Sequence, residues 1–255
     1  MPGHPIDTLE AAAAMLRNAR RPVIFTGAGM SVDSGVPAFR GRQCGLWSEF
    51  DPQRLATPAA YRADPDLVWG CYVWRMAQVA RAQPHAGHLA LADLQARWPE
   101  LAIVTQNVDD LHERAGSRHV LHLHGEIFAL RCFACGRPHH GYELPAHAAD
   151  GPQLRLPPPS CAHSGGPVRP GVVWFGESLP QDIWQQALQP VRDADVLLVV
   201  GTSGVVEPAA SLVGQAQSNG ARVIEVNPEP STQSARADIH LRGSAADMLP
   251  RLFGG

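Results

Sequence analysis

Short apolar runs recur along this chain at Val23–Thr26, Leu101–Thr105, His119–Leu123, Val172–Phe175, Val196–Val200 and Arg222–Val226. They are continuous rather than alternating, the pattern of strands buried on both faces. Between most of them the spacing changes to a helical period, over Pro84–Trp98, Gln181–Leu188 and Pro208–Asn219. Asp7–Arg20, rich in Ala and Leu and opened by a capping Asp7, reads as a further helix. Strands alternating with helices predict the α/β class, with a parallel sheet covered on both sides. Two stretches break this rhythm. Residues 43–80 are helical, with aromatic and polar positions mixed, and residues 130–168 are rich in Cys, His, Pro and Gly. The second stretch has too little apolar surface to hold itself together, so it reads as a metal-stapled insertion. The expected organisation is a main sheet domain from 1–42, 81–129 and 169–255, with a helical insertion at 43–80 and a Cys-rich module at 130–168.

The most informative segment follows the first strand: Thr26-Gly-Ala-Gly-Met-Ser-Val-Asp-Ser-Gly-Val-Pro-Ala-Phe-Arg40. A strand, a glycine turn and a helix start are how a backbone cradles a pyrophosphate, with free N–H groups of the first turn donating to it. Gly27 and Gly29 supply G-x-G, but Val32 stands where a third glycine belongs. No acidic residue ends a second strand about twenty positions on, where dinucleotide oxidoreductases hold a ribose. The loop predicts a nucleotide phosphate site of unusual form.

Polar residues just past a strand's carboxyl end face the ligand crevice of such a sheet. Gln106, Asn107 and Asp109 hold that position, and are placed for ribose hydroxyls and an amide, although Asn107 or Asp109 would equally cap a helix. His122 and His124 close the next strand, two residues apart and so on one face. A histidine there is suited to general-base work near neutral pH.

With 255 residues and 45% hydrophobic content, the chain can bury a substantial core. A formal charge of −3 argues against a nucleic-acid groove. No apolar run reaches membrane-spanning length, and the N-terminus lacks a basic segment ahead of an apolar core, so a cytoplasmic location without membrane attachment is expected. Five cysteines, three of them late and clustered, suit a reduced compartment and a metal better than disulfides. Cys44 and Cys71 read as buried small apolar residues. All 21 basic residues are Arg, so no side chain of this protein can itself be lysine-acylated.

Taken in order, Gly27–Ser31 with Gly35-Val-Pro-Ala-Phe-Arg40, Thr105-Gln-Asn-Val-Asp109, His122-Leu-His-Gly125, Val173-Trp-Phe-Gly-Glu177 and Gly201-Thr-Ser203 resemble the sirtuins in sequence and spacing. Sirtuins are NAD-dependent protein-lysine deacylases, and the resemblance covers nearly the whole chain. It implies a doubly wound, Rossmann-like parallel sheet with a smaller insertion domain, and acylated-lysine proteins as partners. It also implies roles. Gly27, Ala28, Gly29, Ser31, Phe39 and Arg40 would line the NAD loop, and Gln106 would sit by the nicotinamide ribose. Asn107 and Asp109 would meet the nicotinamide amide. Gly201, Thr202 and Ser203, with Asn227 and Glu229, would hold the phosphate and adenosine end. Phe175, Gly176 and Glu177 would flank the substrate peptide, with Val205–Glu207 on its other side. In that chemistry nicotinamide leaves, the acyl oxygen attacks the ribose, and His124 deprotonates a ribose hydroxyl that takes the acyl carbon. The same pocket without an acyl channel would serve NAD hydrolysis or ADP-ribosyl transfer. A non-catalytic NAD scaffold is the other alternative.

Tyr72-Val-Trp-Arg75 bears on the acyl group. Three apart on a helix, the phenol and guanidinium share a face, and an Arg fork matches a carboxylate. With Leu55-Ala-Thr-Pro58 upstream, this spacing resembles the sirtuins that remove succinyl and malonyl groups, Ala56 leaving room for the longer chain. Cys132-Phe-Ala-Cys135 is half of a zinc ribbon. The second half departs from the family pattern, because Cys161-Ala-His-Ser164-Gly-Gly166 has Ser164 in the place of a fourth Cys. Zinc held by Cys132, Cys135 and Cys161 is expected, with His163 as substitute fourth ligand and His139 or His140 as alternatives.

Overall fold

The computed structural model describes residues 5–37, 55–148 and 155–254. Its strands are β1 (Pro22–Thr26), β2 (Ala102–Thr105), β3 (Val120–His122), β4 (Gly125–Cys132), β5 (Val168–Val172), β6 (Val196–Val200), β7 (Arg222–Asn227) and β8 (Ile239–Arg242). Its described helices are α1 (Pro5–Arg17), α2 (Pro58–Ala63), α3 (Pro65–Arg81), α4 (Ala86–Arg97), α5 (Leu111–Arg114), α6 (Gln181–Asp193), α7 (Ser211–Ser218) and α8 (Ala245–Phe253).

Six strands form one parallel sheet in the order β3-β2-β1-β6-β7-β8. Alternation along each strand feeds two cores. Ile24, Ile103, Leu198 and Ile224 pack with α1, α4 and α8, whereas Val23, Phe25, Leu197 and Val199 pack with α6 and α7. Because both faces are covered, neither set can be polar, and that is why the strands read as unbroken apolar runs. Each fully buried aliphatic side chain contributes roughly 1.5–3 kcal/mol. A third core joins Tyr61, Trp69, Val73 and Met76 to Ile127, Leu130, Val168 and Trp174. It ties α2 and α3 to the antiparallel pair β4–β5.

Several expected boundaries shift. Helix α1 begins at Pro5, so Asp7 lies inside it rather than capping it, and it ends at Arg17. The strand expected over Val172–Phe175 is Val168–Val172, paired antiparallel with β4 outside the parallel sheet. Strand β4 escapes a pattern reading because its burial mixes exposed and buried positions irregularly, and β8 because it is a short edge strand. Cys71 is half-buried on α3, and Cys44 lies outside the described residues. Among the described residues no helix is long and apolar enough to cross a membrane.

The strand order reverses between β1 and β6. In an open parallel sheet the loops at such a reversal part to opposite sides and leave a crevice at the strands' carboxyl ends.

Candidate active site

The turns after β1 and β6 meet at this reversal. Gly27 N–H donates to the Val200 carbonyl at 2.9 Å, and Gly29 N–H to the Gly201 carbonyl at 2.7 Å. A Cβ on Gly29 would stand 2.7 Å from Gly201 Cα, and one on Gly27 would stand 2.9 Å from Thr202 Cα. Glycine is thus required because two backbones touch. The Gly27 and Gly29 amides are engaged by the end of β6 and the turn after it. Two 3₁₀ turns follow, Ala28–Met30 and Val32–Ser34, in place of an opening α-helix.

Beside these turns lies a cavity of about 350 Å³. Gly27, Ala28, Gly29 and Ser31 line one side, with Gln106, Asn107, Asp109 and His124 below. Gly201 and Thr202, against which the glycine turns pack, join Ser203, Ala56, Tyr72, Arg75 and Phe175–Glu177 in the rest of the lining. Asn227 stands behind it, its Nδ2 donating to the Thr202 carbonyl at 2.9 Å. Glu229 is exposed and pairs with Arg242, and Val205 is exposed, both off the cavity wall. Phe39 and Arg40 lie outside the described residues.

Polar wall residues are bonded to one another across the strand ends. Gln106 Nε2 donates to Thr202 Oγ1 at 2.9 Å, spanning the crevice, and Asn107 Nδ2 donates to Ser31 Oγ at 3.0 Å. Asp109 is buried, and burial raises its pKa against the opposing pull of Ser31, the Leu111 N–H and the His122 charge.

The two histidines differ in their partners. His124 is half-buried, and its Nδ1 donates to the Gln106 carbonyl at 3.0 Å. A carbonyl can only accept, so this bond puts the proton on Nδ1 and leaves Nε2 basic. Burial lowers the His124 pKa, partly offset by that carbonyl, so the ring is neutral near pH 7. His122 has acceptors at both nitrogens, the Asn107 carbonyl and Glu113, each at 2.8 Å.

At the other end of the cavity, α3 presents Tyr72 and Arg75 on one face. Trp174 Nε1, 102 residues away in sequence, donates to Tyr72 Oη at 2.8 Å. That bond occupies an acceptor site and leaves the phenol proton free to be donated. Burial, opposed by the Arg75 charge, pushes the Tyr72 pKa up to about 12, so the proton stays in place. The segment after β5 is pinned from three sides. Val173 N–H donates to the His124 carbonyl at 2.8 Å, and Phe175 N–H to the Ala56 carbonyl at 2.9 Å. Buried Arg169 forks onto Glu177 at 2.5 and 2.9 Å and stacks 3.4 Å from the Trp174 ring centre. Glu177 also accepts from Trp174 N–H at 2.8 Å, so its carboxylate is engaged inward rather than toward a peptide.

Sequence reasoning left out the Trp174 indole, the Arg169 clamp and Gln78, which also lines the cavity. Gln78 was findable, one further helical step from Arg75. Trp174 and Tyr72 gave no such signal, because nothing local links them.

In the Cys-rich module the Cys132, Cys135 and Cys161 sulfurs all lie within 4.8 Å of one another and are free thiols. Cys135 and Cys161 Sγ stand 3.8 Å apart, too far for a disulfide. A tetrahedron with Zn–S distances of about 2.3 Å has edges of about 3.8 Å, so the donors fit zinc. Ser164 Oγ lies 3.3 Å from Cys132 Sγ and accepts from Gly166 N–H, whereas His163 does not join the described cluster. Purified protein should therefore carry one zinc per chain, with Ser164→Cys holding it against a competing chelator better than the parent. Stripping the metal should lower Tm by roughly 2–4 °C for each kcal/mol of binding lost. Protein that is fully folded and contains no metal would contradict this.

Comparison with known proteins bears on the family. The profile of the Sir2 family matches residues 27–208. NAD-dependent protein deacylase 1 of Pseudomonas aeruginosa is 49% identical over 245 residues, covering 96% of this chain and 98% of the relative. The NAD-dependent protein deacylase of Mycolicibacterium paratuberculosis is 50% identical over 233 residues, covering 91% and 96%. A solved Sir2 homologue–NAD complex superposes with a TM-score of 0.87 at 42% identity, over 96% of this chain and 92% of that one. A Sir2–p53 peptide–NAD⁺ structure does so at 0.82 and 27% identity, over 96% and 97%. With the reversal of strand order, the paired glycine turns and the His124 cavity, these matches show that the chain belongs to the Sir2 family.

Proposed function

We propose that this protein is an NAD-dependent protein-lysine deacylase that prefers acyl groups ending in a carboxylate, succinyl and malonyl ahead of acetyl. The bond from Trp174 to Tyr72 carries the preference. It turns the phenol into a committed donor beside Arg75, on the wall of the same cavity as His124. An acyl carboxylate would meet one hydroxyl donor and one guanidinium there, whereas an acetyl methyl would meet polar groups that it cannot satisfy.

NAD would supply a ribose whose carbon bonds the acyl oxygen as nicotinamide leaves, and whose hydroxyl then takes the acyl carbon as lysine is released. Asn107 and Asp109 bind its amide end, Gln106 lies by the ribose, and the Gly27–Gly29 and Gly201–Ser203 turns close over the phosphates, with Asn227 bracing Thr202. His124 takes a proton from a ribose hydroxyl through Nε2, while Gln106 holds the tautomer. The Phe175–Glu177 segment and the Val205–Glu207 turn receive the substrate main chain as an added strand, a mode needing little side-chain readout. The relatives named deacylases and the neighbour solved with a peptide and NAD⁺ support this reading. Cys132, Cys135 and Cys161 would hold a zinc ion, with Ser164 Oγ beside Cys132, and the metal would brace the module rather than enter the reaction. Lacking lysine, the chain acts on side chains of other proteins.

The test is a panel of acetyl-, malonyl- and succinyl-lysine peptides with NAD, with acyl-ADP-ribose detected by mass. A charged hydrogen bond of about 1.5–3 kcal/mol predicts a kcat/KM advantage of roughly ten- to a hundredfold for the acidic acyl groups. Equal or faster acetyl turnover would remove the preference. No acyl-ADP-ribose from any peptide would remove the deacylase assignment.

A further inference from the structure

His122 is a histidine that the reaction does not use. It closes β3 almost fully buried, two residues before His124. Its Nδ1 meets the Asn107 carbonyl at 2.8 Å and its Nε2 meets Glu113 Oε1 at 2.8 Å. Neither a carbonyl nor a carboxylate can donate, so both ring nitrogens must carry protons. Asn107 is gripped at two further points: its N–H donates to Thr105 Oγ1 at 3.0 Å, and its side-chain amide donates to Ser31 Oγ at 3.0 Å. Of the three grips, His122 alone brings a charge.

We propose that His122 is a positioning residue, an imidazolium paired with Glu113 that fixes the Asn107 carbonyl and so aims the Asn107 side chain at the cofactor. This rests on the reading of the cavity as the NAD site. The lock and the base need opposite protonation states at one strand end: His122 charged, His124 neutral.

The surroundings push the two rings apart. For His122, burial lowers the pKa, but the Glu113 bond and charge, the Asn107 carbonyl and Glu126 on β4 outweigh it, and the net shift is upward. Asp109, on the loop after β2, and His112, on α5, also feel the His122 charge. Burial would raise Glu113, but the His122 bond and charge keep it below the ordinary carboxylate value. A raised histidine pKa means the lock is complete below the ordinary imidazole value and lost as pH rises through the folded one. His124, shifted down, gains its proton only further on the acid side. Between these limits both groups are in their working states, because the two rings are shifted in opposite directions.

The experiment uses the full chain with ¹⁵N-labelled imidazoles, the His122 signal being assigned by His122→Gln. At neutral pH both His122 nitrogens should read as protonated, and one bare nitrogen would overturn the proposal. Calorimetric NAD affinity is then followed against pH. His122→Gln should weaken NAD roughly tenfold. Glu113→Gln keeps an acceptor but removes the charge, so its alkaline loss of affinity should begin at lower pH than in the parent. An unchanged alkaline limb in Glu113→Gln would overturn the proposal. NAD binding with the expected profile but without any acyl product would sink the deacylase reading and leave the His122 lock standing. No NAD binding at all would sink both.

Discussion

Replacing Arg75 with Met should cut kcat/KM for succinyl- and malonyl-lysine peptides by roughly ten- to a hundredfold and leave acetyl-lysine turnover within about threefold. Arg75 is half-buried on α3, one turn from Tyr72, and its charge is felt at the phenol. A carboxylate entering this end of the cavity leaves water, and without a guanidinium it loses the partner that offsets that cost. Met keeps the length and the apolar stem, so the acetyl route along the same wall persists. Tyr72→Phe should act in the same direction more weakly, since it removes a donor but no charge. It also leaves Trp174 Nε1 unpaired in a buried position, so a small fall in Tm should accompany it. Unchanged succinyl turnover in Arg75→Met would end the acyl assignment.

The largest loss is expected at His124. His124→Ala should lower acyl transfer about 10²–10⁴-fold, the range for removing a positioned general base, with NAD affinity changed far less. The pH profile gives a second reading. Because burial lowers the His124 pKa, the acid limb of kcat should lie below the ordinary imidazole value. The base is active only when deprotonated, so activity rises with pH through that limb and then levels. An acid limb at or above the ordinary histidine range, or a His124→Ala chain that still transfers acyl groups at the parent rate, would show that another group takes the proton.

The parallel core was legible because its signal is local. A strand covered on both faces must be apolar at every position, and Val23–Phe25, Ile103–Val104 and Val196–Val200 say so directly. β8 has only four residues and one fully buried position, so it was silent, and β4 was hidden by its irregular burial. The polar positions at strand ends were legible for a related reason. A buried strand followed at once by Gln106, Asn107 and Asp109 has to surface somewhere, and in this sheet it surfaces at the crevice.

The glycines mark where that reading stopped. G-x-G reads as a phosphate loop, but the atoms nearest a Cβ at Gly27 or Gly29 belong to the turn after β6, some 170 residues on. At both positions the missing Cβ is what lets the two turns meet.

From residue order alone came the chain's Sir2 likeness, the α/β class, the basic histidine before Gly125 and the Tyr72–Arg75 pair, because each is written in neighbours that share a strand, a turn or a helix face. The fold alone decided that Trp174 makes Tyr72 a donor, that Ser164 lies beside Cys132, and that His122 meets an acceptor at each ring nitrogen where His124 meets one. Those outcomes depend on which acceptor stands opposite which nitrogen or hydroxyl. That in turn depends on how β2, β3 and the β4–β5 pair converge, which no local pattern records.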